Sequence, residues 1–144
     1  MRSSTRRAHS YKLFNGTIMF EQDQDISKEK KAMDLYLRRL GGSYKKLGKD
    51  DVDFRIHGET GEVVSYAEVK VLDTEMKDSF PLMVEARKII KLRDKRLHAV
   101  IIWSCIDGIF YLSIEGLVGK ATWSDEGELM LSYDNKKLFK YVRP

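Results

Sequence analysis

Two short runs of alternating apolar residues, joined by a turn with two glycines, constrain the fold of this chain more than any other feature. The runs cover residues 51–57 and 63–72, and Gly58 and Gly61 lie between them. Side chains two residues apart share one face of a β-strand. The pattern therefore predicts a hairpin with one apolar face and one charged face. The charged side chains are Asp51, Asp53, Glu68 and Lys70.

The register of this hairpin decides which aspartate lies nearest the glutamate. A pairing of His57 with Glu62 across the turn would set that register. Asp51 then lies opposite Glu68, and Asp53 lies one diagonal step away, within reach across the strands. Carboxylates on one patch of sheet repel one another unless a cation lies among them. The hairpin therefore predicts a metal site and leaves two candidates for its first ligand.

An apolar stripe with helical spacing predicts a helix over residues 27–40, and the glycine pair that follows predicts its end. The stripe consists of Met33, Tyr36, Leu37 and Leu40. One turn further back, the same face carries Glu29. This carboxylate is either an ordinary first-turn acid, favoured by the helix dipole, or a group that faces the hairpin.

A second helix is predicted over residues 80–97, with Pro81 in its first turn. Its apolar stripe consists of Leu82, Ala86, Ile89, Ile90 and Leu97. Six cations lie within ten residues on its other faces, namely Arg87, Lys88, Lys91, Arg93, Lys95 and Arg96. Such a face is either solvated or in contact with phosphates. Its position directly after the charged hairpin favours phosphates.

The remaining patterns predict short strands. They cover residues 43–47, 99–104 and 109–114, and in the tail 121–123, 128–133 and 138–142. Asp107-Gly108 predicts the turn between the two central strands. Residues 13–20 are predicted to form either a short strand or an irregular cover, with a turn at Asn15-Gly16.

The first twelve residues carry four cations and no acid, which predicts a flexible basic arm ahead of a single domain over residues 13–144. The arm is either an ordinary disordered terminus or a segment that grasps DNA. The candidate contacts to nucleic acid, from the arm and the second helix, are Arg6, Arg7, Arg87, Lys91, Lys95 and Arg96.

The charged hairpin resembles the PD-(D/E)xK nuclease superfamily, whose pattern is an acidic residue at the start of one strand and Glu-x-Lys within the next. The matching residues are Asp53, Glu68 and Lys70, with fourteen residues between the two carboxylates. Val52 stands where the family name has proline. The resemblance extends over about residues 26–114. It implies an α/β (α+β) fold, in which a mixed central β-sheet is flanked by helices in a restriction-endonuclease-like α-β-β-β-α-β core.

The resemblance also implies an activity, the Mg²⁺- or Mn²⁺-dependent hydrolysis of phosphodiester bonds in DNA, including branched or recombination intermediates. Magnesium prefers oxygen ligands. Asp53 and Glu68 would supply carboxylates, Val69 would supply its carbonyl, and Lys70 would orient the attacking water. Asp51 stays the alternative to Asp53.

Two further residues follow from the same resemblance. Many members place a glutamate on the helix before the motif strands and a lysine or glutamine on the helix after them. Glu29 and Lys88 hold these places, the first as a metal ligand and the second as a catalytic group. Small stand-alone members are frequently phage or mobile-element proteins that act as homodimers, so DNA and a second copy are the expected partners.

Composition agrees with a globular domain that meets a polyanion. The chain has 144 residues, of which 42% are hydrophobic, and its formal charge is +4. Cys105 is the single cysteine and lies in an apolar run, which predicts a buried thiol and suits a reducing compartment. No stretch resembles a signal peptide or could span a bilayer. We therefore expect a cytoplasmic protein with no membrane partner.

Two other functions are compatible with these patterns. The first is a nucleic-acid-binding protein that keeps a nuclease-like fold and does not cleave. The second is a small structural domain in which Asp51, Asp53, Glu68 and Lys70 form an exposed, salt-bridged sheet face. Cleavage requires the acidic and basic residues of the motif, and none of them is missing.

Overall fold

The computed structural model describes residues 11–14, 17–116 and 119–144 of the chain. The elements of this part, in chain order, are β1 (Tyr11–Phe14), β2 (Thr17–Phe20), α1 (Glu21–Leu37), β3 (Ser43–Lys46), β4 (Phe54–His57), β5 (Val63–Val71), β6 (Leu82–Glu85), α2 (Ala86–Asp94), β7 (Ala99–Cys105), β8 (Gly108–Ser113), β9 (Lys120–Trp123), β10 (Leu129–Tyr133) and β11 (Lys140–Val142). Single 3₁₀ turns cover Met76–Asp78, Ile114–Gly116 and Lys136–Leu138.

A six-stranded sheet organises these elements, with the strand order β11-β8-β7-β5-β4-β3. Strands β5 and β7 run parallel, and the other neighbours in this sheet are antiparallel. A second, three-stranded antiparallel sheet has the order β6-β10-β9, and β1 pairs with β2. The predicted mixed α+β architecture is confirmed.

The six-stranded sheet buries a separate apolar cluster on each face. On one face, Phe54 of β4 and Val69 of β5 pack with Met33 of α1. On the other face, Trp103 of β7 packs with residues of α2 and of the second sheet, among them Leu92. Burying side chains of this size stabilises a fold by about 1.5–3 kcal/mol each. Both helices are thereby held on the sheet by its apolar positions.

The second predicted helix is wrong in its first half. Leu82–Glu85 form strand β6, and the helix covers only Ala86–Asp94. Leu82 and Val84 alternate as buried residues along β6, which pairs antiparallel with β10. Four residues cannot distinguish a strand from a helix by periodicity, so the long-range pairing decides the conformation.

Three apolar residues of the predicted helical stripes are exposed rather than buried. Leu40 lies beyond the end of α1, which closes when the Gly41 N–H donates to the Leu37 carbonyl (2.9 Å) with Gly41 at φ +73°. Ile90 lies on the outer face of the shortened α2, and Leu97 lies past its end. Leu40 and Leu97 are exposed because both predicted helices extend past the observed ends, whereas Ile90 is exposed although it lies within α2.

The hairpin of β4 and β5 also differs from its predicted register. His57 pairs with Val63 rather than with Glu62. An irregularity between Ile56 and His57 shifts the ladder by one further residue. The combined shift of two residues keeps each side chain on its predicted face but changes its partner across the strands.

The other strands follow the sequence closely. Strands β3, β7, β8, β9 and β10 lie where they are predicted, and the predicted strand at 138–142 begins with a 3₁₀ turn before β11. Cys105 is buried, as predicted. Cys105 pairs with Gly108, so the turn between β7 and β8 consists of Ile106 and Asp107, and the predicted turn at Asp107-Gly108 is wrong by one residue. No helix within the described ranges is long and apolar enough to cross a membrane.

Candidate active site

Seven charged side chains meet where the start of β4 and the middle of β5 lie between the two helices. We call this group the charged cluster. Its members are Glu29 of α1, Lys46 of β3, Asp53 before β4, Glu68 and Lys70 of β5, Glu85 of β6 and Lys88 of α2.

The observed register brings Asp53, and not Asp51, beside Glu68. Phe54 lies opposite Ala67, and continuing this ladder by one residue aligns Asp53 with Glu68. Asp51 instead binds elsewhere, as described below. The prediction that Asp51 lies opposite Glu68 is wrong, because it lacked the two-residue shift in the hairpin.

The carboxylates of Asp53 and Glu68 each accept a hydrogen bond from a backbone amide of the opposite segment. The Asp53 N–H donates to Glu68 Oε1 (3.1 Å). In return, the Val69 N–H donates to Asp53 Oδ2 (2.9 Å). Each carboxylate therefore keeps a fixed orientation in the cluster. Val69 contacts Asp53 through its backbone amide, whereas the family resemblance implies that its backbone carbonyl binds the metal ion.

Lys46 joins Asp53 to the first helix. Its Nζ lies 3.0 Å from Glu29 Oε1 and 3.3 Å from Asp53 Oδ1. Burial raises the pKa of the Glu29 carboxyl, repulsion from Asp53 adds to the rise, and Lys46 opposes it. Glu29 thus faces the hairpin. The sequence motif assigns no role to Lys46. Because Lys46 lies two residues after Tyr44 on β3, both side chains share one face of the strand and turn toward α1.

Glu68 is the most deeply buried acid of the cluster, and its side chain is 4% exposed. Its Oε2 lies 3.1 Å from Lys88 Nζ on α2. Burial, followed by repulsion from Asp53, raises the pKa of the Glu68 carboxyl to about 8, against the opposing effect of Lys88. Lys88 is therefore the ammonium group in direct contact with the central glutamate.

Lys70 lies in the cluster but binds a partner that the sequence did not indicate. Its Nζ is 2.7 Å from Glu85 Oε1. Burial alone would raise the pKa of the Glu85 carboxyl, but Lys70 holds this pKa below its usual value. Glu85 was overlooked because it was assigned to the interior of a helix, whereas it ends β6 and precedes α2.

Three of the six predicted phosphate-binding cations contact acceptors within the protein. Lys95 Nζ binds Asp51 Oδ1 (2.6 Å), and this hydrogen bond lowers the pKa of the Asp51 carboxyl. Arg87 Nε binds Glu128 Oε2 (2.6 Å), and Lys91 Nζ reaches the Asp50 carbonyl (3.5 Å).

The other three predicted phosphate-binding cations are Arg96, Arg6 and Arg7. Arg96 is exposed just past the end of α2, with φ at 56°. Arg6 and Arg7 lie outside the described residues.

The donor atoms of the cluster suit a hard divalent cation, but ammonium groups now lie among them. Glu29, Asp53 and Glu68 offer the carboxylate oxygens that Mg²⁺ and Mn²⁺ prefer. Within the part of the chain that the structure describes, no three side chains of His, Cys, Asp or Glu form a group able to hold a metal ion. Lys46 and Lys88 take up the contacts that such an ion would make, so an ion would have to replace at least one of them.

Comparisons with protein-family models, with curated proteins and with solved structures found no match to this chain.

Proposed function

We propose that this chain is a metal-dependent nuclease that hydrolyses phosphodiester bonds in DNA. The observation that carries the proposal is the pair of hydrogen bonds that hold the Asp53 and Glu68 carboxylates side by side, with Glu29 close by, inside a partly buried cluster. Buried charges are costly and are weak evidence of a purely stabilising role. A carboxyl whose pKa is raised by burial and by a neighbouring carboxylate, as at Glu68, is more typical of a functional site.

The chemistry requires acids that bind a metal and cations that face a phosphate. A divalent cation, when bound, lowers the pKa of water and neutralises charge on the phosphate. Asp53 and Glu68 would hold it, with Glu29 as a third carboxylate. Lys88 and Lys70, which pair with Glu68 and Glu85, lie on the α2 side of the cluster, where their ammonium groups would face an anionic substrate.

The order of elements supports the same proposal. Helix α1, strands β3 to β5, helix α2 and strand β7 would form a restriction-endonuclease-like core, in which β6 is an addition before the second helix. Arg96, exposed just past the end of α2, would hold the DNA backbone together with Arg6 and Arg7. Branched DNA as substrate, a homodimer and a cytoplasmic location belong to this proposal as well.

A non-cleaving nucleic-acid-binding protein is the second candidate, and one observation favours it. Lys46 and Lys88 already form ion pairs with Glu29, Asp53 and Glu68 without a metal ion. A protein of this kind would bind DNA equally well in EDTA and in magnesium, and would leave it intact.

Cleavage assays separate the two candidates. Labelled plasmid, linear, single-stranded and four-way-junction DNA are incubated with the protein in Mg²⁺, Mn²⁺ or EDTA. We expect cutting of at least one form, loss of cutting in EDTA and in Glu68→Gln, and normal cutting by Glu59→Gln, a matched change at an exposed turn residue. Wild-type protein that binds DNA but cuts none of these forms with either metal would contradict the proposal.

A further inference from the structure

We infer that Lys46 is a built-in counter-ion which occupies the position of a divalent cation between Glu29 and Asp53, and which ion binding must displace. This inference rests on the proposed function, since it concerns the same carboxylates. It adds a residue that the motif does not contain and places an ammonium group between two of the carboxylates before metal binds.

The contacts of Lys46 resemble those of a small cation more than those of an ordinary surface lysine. One ammonium group bridges two carboxylates from different elements, at 3.0 Å from Glu29 and 3.3 Å from Asp53. Its Nζ also lies over the Phe54 ring, 4.9 Å from the ring centroid. Burial would lower the pKa of the Lys46 ammonium, but the Asp53 and Glu29 carboxylates raise it above its usual value.

An ammonium group and a divalent ion cannot share these oxygens. Each carboxylate oxygen that the lysine occupies is lost as a ligand, and the two cations repel at contact distance. The affinity of the site for metal must therefore contain the cost of removing Lys46. A neutral side chain at this position should release that cost and tighten metal binding.

Lys46 is better suited to this role than Lys88. Lys88 contacts a single cluster carboxylate, Glu68, and its side chain is 23% exposed. Lys46 comes from the edge strand β3, and its side chain is 31% exposed, so it can swing into solvent without disturbing the sheet. The neighbouring Lys45 points to the opposite face of β3 and is exposed, which makes it a matched control.

Manganese binding in the absence of DNA tests the inference. The full chain and its variants are titrated with Mn²⁺, and free Mn²⁺ is measured by electron paramagnetic resonance. We expect Lys46→Met and Lys46→Gln to bind Mn²⁺ about tenfold or more tightly than wild type, because a competing unit charge is removed. Lys46→Arg, which keeps the charge, and Lys45→Met should stay within about twofold of wild type.

The outcomes distinguish this inference from the proposed function. Unchanged or weaker Mn²⁺ binding by the neutral Lys46 variants, with binding lost in Asp53→Asn, would overturn the inference and leave the proposed metal site standing. Absence of Mn²⁺ binding in wild type and all variants would overturn both. Circular dichroism melts in EDTA establish that each variant is folded, and Lys46→Gln replaces Lys46→Met if the latter does not fold.

Discussion

At the scale of single residues, the environment of Glu68 departs most from that of an ordinary surface acid. Its carboxylate is buried between a backbone amide and Lys88, next to Asp53. The fold therefore favours the protonated form of this side chain, whose pKa is raised to about 8. The alternation along β5 predicts that this residue shares a face with Lys70, but the degree of burial depends on α2 and cannot be predicted from a local pattern.

The first prediction concerns the pH dependence of stability without metal. A raised pKa in the folded state means that the contribution of Glu68 is complete below its unfolded pKa of about 4.5 and is lost as pH rises through about 8. Glu68→Gln should therefore gain melting temperature relative to wild type as pH rises from 5 to 8.5 in EDTA. Parallel melting curves for the two proteins across this range would contradict the assigned environment.

The second prediction separates the two aspartates. Asp53 shares the cluster with Glu68, whereas Asp51 binds Lys95. Asp53→Asn should lower the cleavage rate on the order of a hundredfold or more, because a group that stabilises the transition state is lost. Asp51→Asn is the matched control and should keep most of the activity. If Asp51→Asn lost more activity than Asp53→Asn, the site would lie at Asp51 rather than at Asp53.

At the scale of elements, helix α2 joins the cluster to the surface that we assign to DNA. Lys88 points inward to Glu68, whereas Lys91 reaches the Asp50 carbonyl and Arg96 is exposed past the end of the helix. The density of cations was visible in the sequence. Their division into inward and outward groups was not, because it depends on where β6 ends and the helix begins.

The third prediction tests whether Lys91 and Arg96 contact DNA phosphates. Each phosphate contact that is lost should flatten the dependence of log affinity on log salt by about 0.9 for duplex DNA. Neutralising Lys91 and Arg96 to glutamine should therefore reduce this slope, measured by fluorescence anisotropy between low and moderate salt. Lys45→Gln, on the exposed face of β3, serves as the control. An unchanged slope would mean that this end of α2 is an ordinary solvated surface.

At the scale of the whole molecule, the sequence predicted what depends on local alternation and missed what depends on distant partners. The charged hairpin and the central strands β7 and β8 follow from periodicity and turn residues, whereas helix α1 begins at Glu21, six residues before its predicted start. Strand β6 exists because it pairs with β10, far along the chain. Likewise, Lys46 and Glu85 enter the charged cluster through contacts between elements, which no motif in a single segment encodes.

The central claim is that Asp53 and Glu68 are ligands of one divalent metal ion. The most direct measurement is the anomalous diffraction of crystals soaked in Mn²⁺. The account predicts a peak within about 2.3 Å of a carboxylate oxygen from each of these two residues, a distance typical of hard divalent cations. A peak only at other residues, with both carboxylates still bound to backbone amides and lysines, would contradict it.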